Sequence, residues 1–195
     1  MKHGLLLAAA MMGTMAALAV PTPLAAQVRH DTLESVFRDW RTLQLGEVKN
    51  GATDYSAPAL ARQAAGLKQL RARLDALPTT GWTVSQKVDR EIIRAEMNGL
   101  DFDLRVAKPW ERDPAWYLSV WAAQSDTPAH EGPVHPMPVE LWTYSFPLYA
   151  AASKKLAGEL AHIPELLRQA RVNLTGNARD LWTASLVTLG GQQEA

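Results

Sequence analysis

The sequence predicts an all-α fold, an irregular bundle of about six to eight helices with a Pro-rich loop near residues 125–138. Three observations predict it. Apolar residues recur every three or four positions along almost every segment. Helix start and stop residues stand at the ends of those segments. No run alternates for long enough to make a strand, and no internal repeat is present. The length of 195 residues suits one domain or a piece of one. Lys plus Arg equals Asp plus Glu at 20 each, so no net field draws in nucleic acid or an anionic membrane. Cysteine is absent, which excludes disulfides and a cysteine-borne lipid anchor.

Taken in order, residues 1–26 read as a secretory signal peptide. Lys2 and His3 give a basic start, GLLLAAAMMGTMAALAV an apolar core, and PTPLAA a small-residue site for cleavage after Ala26. The apolar run is shorter than the ~20 residues a spanning helix needs, and Pro21 and Pro23 close it. This predicts a periplasmic or secreted protein with no stable membrane insertion, whose helical domain is residues 27–195.

A first helix is expected over HDTLESVFRDWRTLQLG, with Leu33, Val36, Phe37, Trp40 and Leu43 on one stripe and Gly46 ending it. Residues Glu47 to Tyr55 read as a polar loop. Ser56 can then cap a second helix, on which Leu60, Ala64, Leu67, Leu70, Leu74 and Leu77 recur at three or four before Pro78. Thr83 and Gln86 form a capping-box signature for the third. That helix has two stripes. One is Val84, Val88, Ile92, Ala95, Gly99, Phe102 and Val106; the other is Ile93, Met97, Leu100 and Leu104. A helix apolar on two sides is expected to be central and covered on both. Asp101 and Arg105, at i,i+4, read as a solvated ion pair.

Lys108-Pro109 breaks the third helix, and Asp113-Pro114 is a cap and first residue for a short one, PAWYLSVWAAQ. Beyond the Pro-rich loop come VELWTYSFPLYAAASKKLAGELAHI, expected to kink near Pro147, then PELLRQARVNL and NARDLWTASLVTLGG, with Pro164 at a helix start and Asn177 as a cap. Asn173-Leu174-Thr175 matches a glycosylation sequon, a pattern short enough to arise by chance.

The stretch PAHEGPVHPMP carries His130, Glu131 and His135 and imitates a zinc site. The helical zinc motif needs its histidines at i and i+4, on one face with the glutamate beside the bound water. Here they are five apart with Pro133 between them, a pattern a helix interior cannot hold. The expectation is therefore a solvent-exposed loop with no preformed metal site. Glu159 and His162 show the Glu-x-x-His spacing of di-iron bundles, but those sites need a second such pair and two further glutamates. No Gly-rich phosphate loop, nucleophile elbow or cysteine nucleophile appears, so no catalytic residue is assigned.

Eight of the fourteen aromatics fall between residues 110 and 149, which makes that segment the candidate for a ligand groove or for a packed anchor. The candidate ligand-binding residues are Trp110, Trp116, Tyr117, Trp121, Trp142 and Tyr144, with Arg112 at the rim.

Three stretches, in order, carry a family resemblance. They are YSAPALARQAAGLKQLRARLDAL, SQKVDREIIRAEMNGLDFDL followed by RDPAWYLS, and SFPLYAAASKKLAGELAHIPELLRQARVNL. Together they resemble the front part of the bacterial family catalogued as domain of unknown function 885. The resemblance implies an exported helical protein grouped with zinc metallopeptidases, whose His-Glu-x-x-Pro-Gly-His type motif lies well beyond the matched region. The local HEGPVH is one residue shorter, has Gly and Pro in the other order and lies in the front region. No catalytic residue carries over. Zinc is implied for full-length members only, and the implied partner is a missing C-terminal catalytic half. A stand-alone periplasmic module that binds a ligand or partner through residues 110–149 is the alternative. Apolar faces left unpaired on the last helices would favour the first reading, and a closed polar exterior the second.

Overall fold

A computed structural model describes residues 23–123 and 139–193; for 23–31 and 191–193 the backbone alone is described. The chain is mainly helical, as its periodicity predicts. Helix α1 (Pro23–Gln44) is followed by strands β1 (Val48–Lys49) and β2 (Ala52–Thr53), then α2 (Ala57–Asp75) and α3 (Val84–Phe102). After these come α4 (Pro109–Arg112), β3 (Val120–Trp121), β4 (Val139–Glu140), α5 (Ala150–Leu160), α6 (Ile163–Asn173) and α7 (Arg179–Gln193). With α5 and α6 counted as one broken rod and the one-turn α4 set aside, the described residues hold five rods, slightly below the expected range.

Helices α1, α2 and α3 pack on one another around Leu33, Val36, Trp40, Leu67, Leu74, Ile93 and Met97. Local chemistry fixes their ends. Gly46, at φ +72°, takes the left-handed turn that stops α1, and Gln63 donates from Nε2 to the Leu43 carbonyl at 2.9 Å. A Cβ on Gly66 would lie 2.7 Å from Leu43 Cδ1, so α1 and α2 cross closely there and a larger residue would displace the Leu43 side chain. The capping box forms: Thr83 Oγ1 accepts from the Gln86 N–H at 3.3 Å, and Gln86 Oε1 accepts from the Thr83 N–H at 2.9 Å. Ser56 stands at the N-cap of α2 but makes no side-chain cap bond. Helix α7 starts at Arg179, two residues past Asn177.

Four expectations are corrected. The polar loop 47–55 is a hairpin. Asn50 (φ 53°) and Gly51 (φ 80°) both take the left-handed conformation of a tight I′-type turn, pairing Val48 with Thr53. Ala52, Thr53 and Tyr55 are buried behind it.

Among the described residues, helix α3 is covered on one side only. Ile93 and Met97 are buried, whereas Val84, Val88, Ile92, Phe102 and Val106 are exposed, because α1 and α2 both lie on the Ile93–Met97 side. Phe37 and Ala64 are likewise exposed on the flanks of their helices.

The helix expected over 114–124 is a single 3₁₀ turn, Pro114–Tyr117. Asp113 does cap it, accepting from the Ala115 N–H at 2.9 Å, but the chain then extends so that β3 can pair in parallel with β4.

Helix is also absent from 144–149. A 3₁₀ turn at Leu141–Thr143 leads into a bend at Phe146 and Pro147, whose nitrogen cannot donate to a helix, and α5 begins at Ala150.

Candidate functional site

Below the three-helix bundle lies a second core, around Ala52, Tyr55, Trp110, Tyr117, Leu166 and Ala170. Side-chain hydrogen bonds to the backbone hold it. The buried Gln169 of α6 accepts from the Tyr55 N–H at 2.8 Å and donates to the Thr53 carbonyl at 3.0 Å, clamping the hairpin to α6. One turn on, Asn173 donates to the Tyr55 carbonyl at 3.2 Å and to the Tyr117 hydroxyl at 3.1 Å. Tyr117 in turn donates to the Trp110 carbonyl at 2.9 Å. Burial pushes the Tyr117 phenol up to about 12, against the lowering effect of the Asn173 bond. Burial raises Tyr55 as well, with Tyr117 beside it. Asn173 is thus a clamp between α6, the hairpin and Tyr117.

On the outer side of this core opens a cleft of about 390 Å³, lined by residues of α2, of the π-helical turn Asp103–Ala107, of α4 and of the end of α6. The floor is apolar: Leu60, Ala61 and Ala64 from α2, Leu104 from the π turn, and the rings of Tyr55 and Trp110. The rim carries Arg105, Lys108, Glu111 and Thr175. Asp101 holds the Arg105 guanidinium at 2.7 Å and is itself kept below the usual carboxylate range by that bond. The i,i+4 pair is thus the one expected, and Arg71 joins it at 3.4 Å. Lys108 sits in the left-handed region at φ 44°, ψ 56°, and its N–H closes the π turn on the Asp103 carbonyl at 2.8 Å. Its ammonium is 3.9 Å from Glu111. The Gly176 N–H donates to the Glu111 carbonyl at 2.8 Å, and a Cβ on Gly176 would meet that oxygen at 2.8 Å. Only glycine lets the loop after α6 close this wall of the cleft.

The seven candidate ligand-binding residues do not form one groove. Trp110 lines the cleft, while Trp116 and Tyr117 pack edge-on against the Tyr55 ring at 5.8 and 5.9 Å between centroids. Arg112 lies against Gly176 and reaches the Ala107 carbonyl at 3.4 Å. Trp121 and Trp142 are exposed beside the β3–β4 pair. Tyr144 donates to Glu159 at 2.7 Å with Lys155 over its ring, so the glutamate of the Glu-x-x-His pattern is engaged there. Its partner in that pattern, His162, is buried. Among the described residues no cluster of His, Asp or Glu could hold a metal. His130, Glu131 and His135 lie outside the described residues, as do residues 1–22 of the expected signal peptide.

Sequence reasoning missed the cleft because its lining comes from three distant stretches, near 55–64, 104–111 and 172–175. One local signal was present: Asn50-Gly51, whose turn places Tyr55. Comparison of the chain with protein-family models, with curated proteins and with solved structures gives no match.

Proposed function

We propose that the chain is the amino-terminal helical part of a larger exported, zinc-hydrolase-like protein, inert by itself and completed by a catalytic half. The supporting observation is the apolar surface that the helices leave bare. On α3 and the π turn that continues it, among the described residues, it is Val84, Val88, Ile92, Phe102 and Val106, and on α7 it is Leu181, Trp182, Leu186, Val187 and Leu189. Helix α7 touches the body chiefly through the 3₁₀ turn at Pro114–Tyr117, where Ser185 Oγ sits 2.8 Å from Asp113 Oδ1. Apolar side chains left exposed along one face of α3, and around much of α7, mark surfaces that another element covers. Among the described residues no helix is long and apolar enough to cross a membrane, so a lipid-spanning role does not account for them. The zinc and the general base belong to the completing half, and no residue named above supplies either.

The test is genomic and biochemical together. The DNA following codon 195 should encode, in frame or after a frameshift, a segment with the His-Glu-x-x-Pro-Gly-His type motif. Co-expressed, that segment should co-purify with this chain and confer metal-dependent peptide hydrolysis. A chain that is monomeric, binds no apolar dye and has no such continuation would overturn the reading. Material recovered from the periplasm should begin at Gln27 by mass spectrometry; intact protein in the membrane would remove the exported part of the proposal.

A further inference from the structure

We propose that the cleft between α2, the π turn and the end of α6 binds a small amphipathic carboxylate, its apolar body on Leu60, Ala64 and Leu104 and its headgroup on Lys108. The cleft's volume of about 390 Å³ falls in the range of small-molecule sites, with the mostly apolar floor and few polar rim groups such sites have. Charge at the mouth selects the headgroup. Asp101 is shared by Arg71 and Arg105, so these three groups carry one surplus positive charge. Lys108 and Glu111 cancel each other, but at 3.9 Å their contact is loose enough for the ammonium to turn toward an anion.

The backbone at Lys108 is the second, independent observation. A helix ending in a left-handed residue ordinarily places Gly or Asn there, because any other side chain crowds its own backbone. Here φ is +44° at a lysine, and the position forms the rim of the cleft. Such strained residues cluster at ligand clamps. The strain is explained if the ammonium, which glycine lacks, is needed at that point. The inference does not depend on a completing half, since every group it uses belongs to this chain.

Isothermal titration of the purified mature chain with octanoate, octan-1-ol and octylammonium tests it. Octanoate should saturate one site and bind about tenfold or more tightly than the alcohol of the same chain length, and octylammonium should give no saturable heat. Lys108→Gly should lose about tenfold in octanoate affinity while Tm stays level or rises, because the left-handed turn relaxes. Ala64→Phe, at an exposed position on α2, should abolish binding with unchanged circular dichroism. Equal affinity for octanoate and octanol, unchanged binding in either variant, or no saturable binding of octanoate would each overturn the proposal.

Discussion

The core around Trp40 and the core around Tyr55 are built on different principles. The first is apolar in every member, with its polar ties at the edge, among them the Trp40 indole donating to Glu96 at 2.9 Å and Arg90 Nε donating to the Leu74 carbonyl at 3.2 Å. Its three helices supply their own backbone hydrogen bonds, so side chains need only fill space. The second is assembled from α6 together with a hairpin, a 3₁₀ turn and a one-turn helix, pieces that, α6 apart, are too short to satisfy their own peptide groups. Gln169, Asn173, Tyr117 and Asp113 stand in for the missing secondary structure. Regular helices let the first core tolerate polar change at its rim and no loss of volume at its centre. Irregular chain makes the second depend on single hydrogen bonds.

The largest effect should follow from emptying the first core. Trp40 is fully buried, and Trp40→Ala should cost about 3–5 kcal/mol, a large share of the roughly 5–15 kcal/mol that holds an ordinary domain folded. Urea unfolding followed by far-UV circular dichroism measures it. A loss under about 1 kcal/mol would mean that the three helices do not share this core.

Next comes the clamp of the second core. Gln169→Leu keeps the bulk of the side chain but leaves the Tyr55 N–H and the Thr53 carbonyl buried without their partner, at a cost of about 2–3 kcal/mol. Amide exchange should localise the damage to residues 48–56, with α1 to α3 still protected. Uniform loss of protection would show that the two cores unfold as one.

Alkaline titration separates the cores without mutation, since the first contains no tyrosine. Burial holds Tyr117 up at about 12 and raises Tyr55, so the folded state favours the neutral phenols relative to the unfolded chain at 10.0. A raised folded value means a stabilisation that is complete below pH 10 and is lost as pH climbs toward 12. The near-UV circular dichroism of the Tyr55–Tyr117 ring pair should fall in that window, ahead of the far-UV helical signal. Coincident loss of both signals would erase the distinction between the cores.

The first core was readable in the sequence because period and caps agree there. Leu33, Val36 and Trp40, the Leu67-Leu70-Leu74 series, Ile93-Met97 and the Thr83/Gln86 box all point to the helices that form. What periodicity does not give is the identity of a stripe's neighbour, so α3 was expected to be covered on both sides. Residues 114–149 were legible only at their caps. There, short-range helix texture yields to β3–β4 pairing between residues that lie 19 apart in the chain, Val120 and Val139. The candidate site was the least legible part. Of the seven candidate residues only Trp110 lines the cleft, and what brings Trp110 near Leu60 and Val172 is the clamp by Gln169 and Asn173, a long-range contact no local pattern announces.

The smallest expected effect is the sharpest probe of the bare face. Ile92 and Ile93 are neighbours in sequence, yet Ile92 is 53% exposed and Ile93 6%. Ile93→Ala should cost about 2–5 kcal/mol, because it removes a side chain the bundle encloses. Ile92→Lys should change this chain's stability by no more than about 0.5 kcal/mol, as substitutions of exposed residues do. It places a charge in the middle of the Val88–Ile92–Ala95 ridge, so it should also reduce binding of an apolar dye to the chain. Co-expressed with the proposed catalytic half, Ile92→Lys should prevent co-purification, because a desolvated lysine without a partner is costly at an interface. If the substitution destabilises the chain alone as much as Ile93→Ala does, the ridge is already covered within this polypeptide and no further half is needed to explain it.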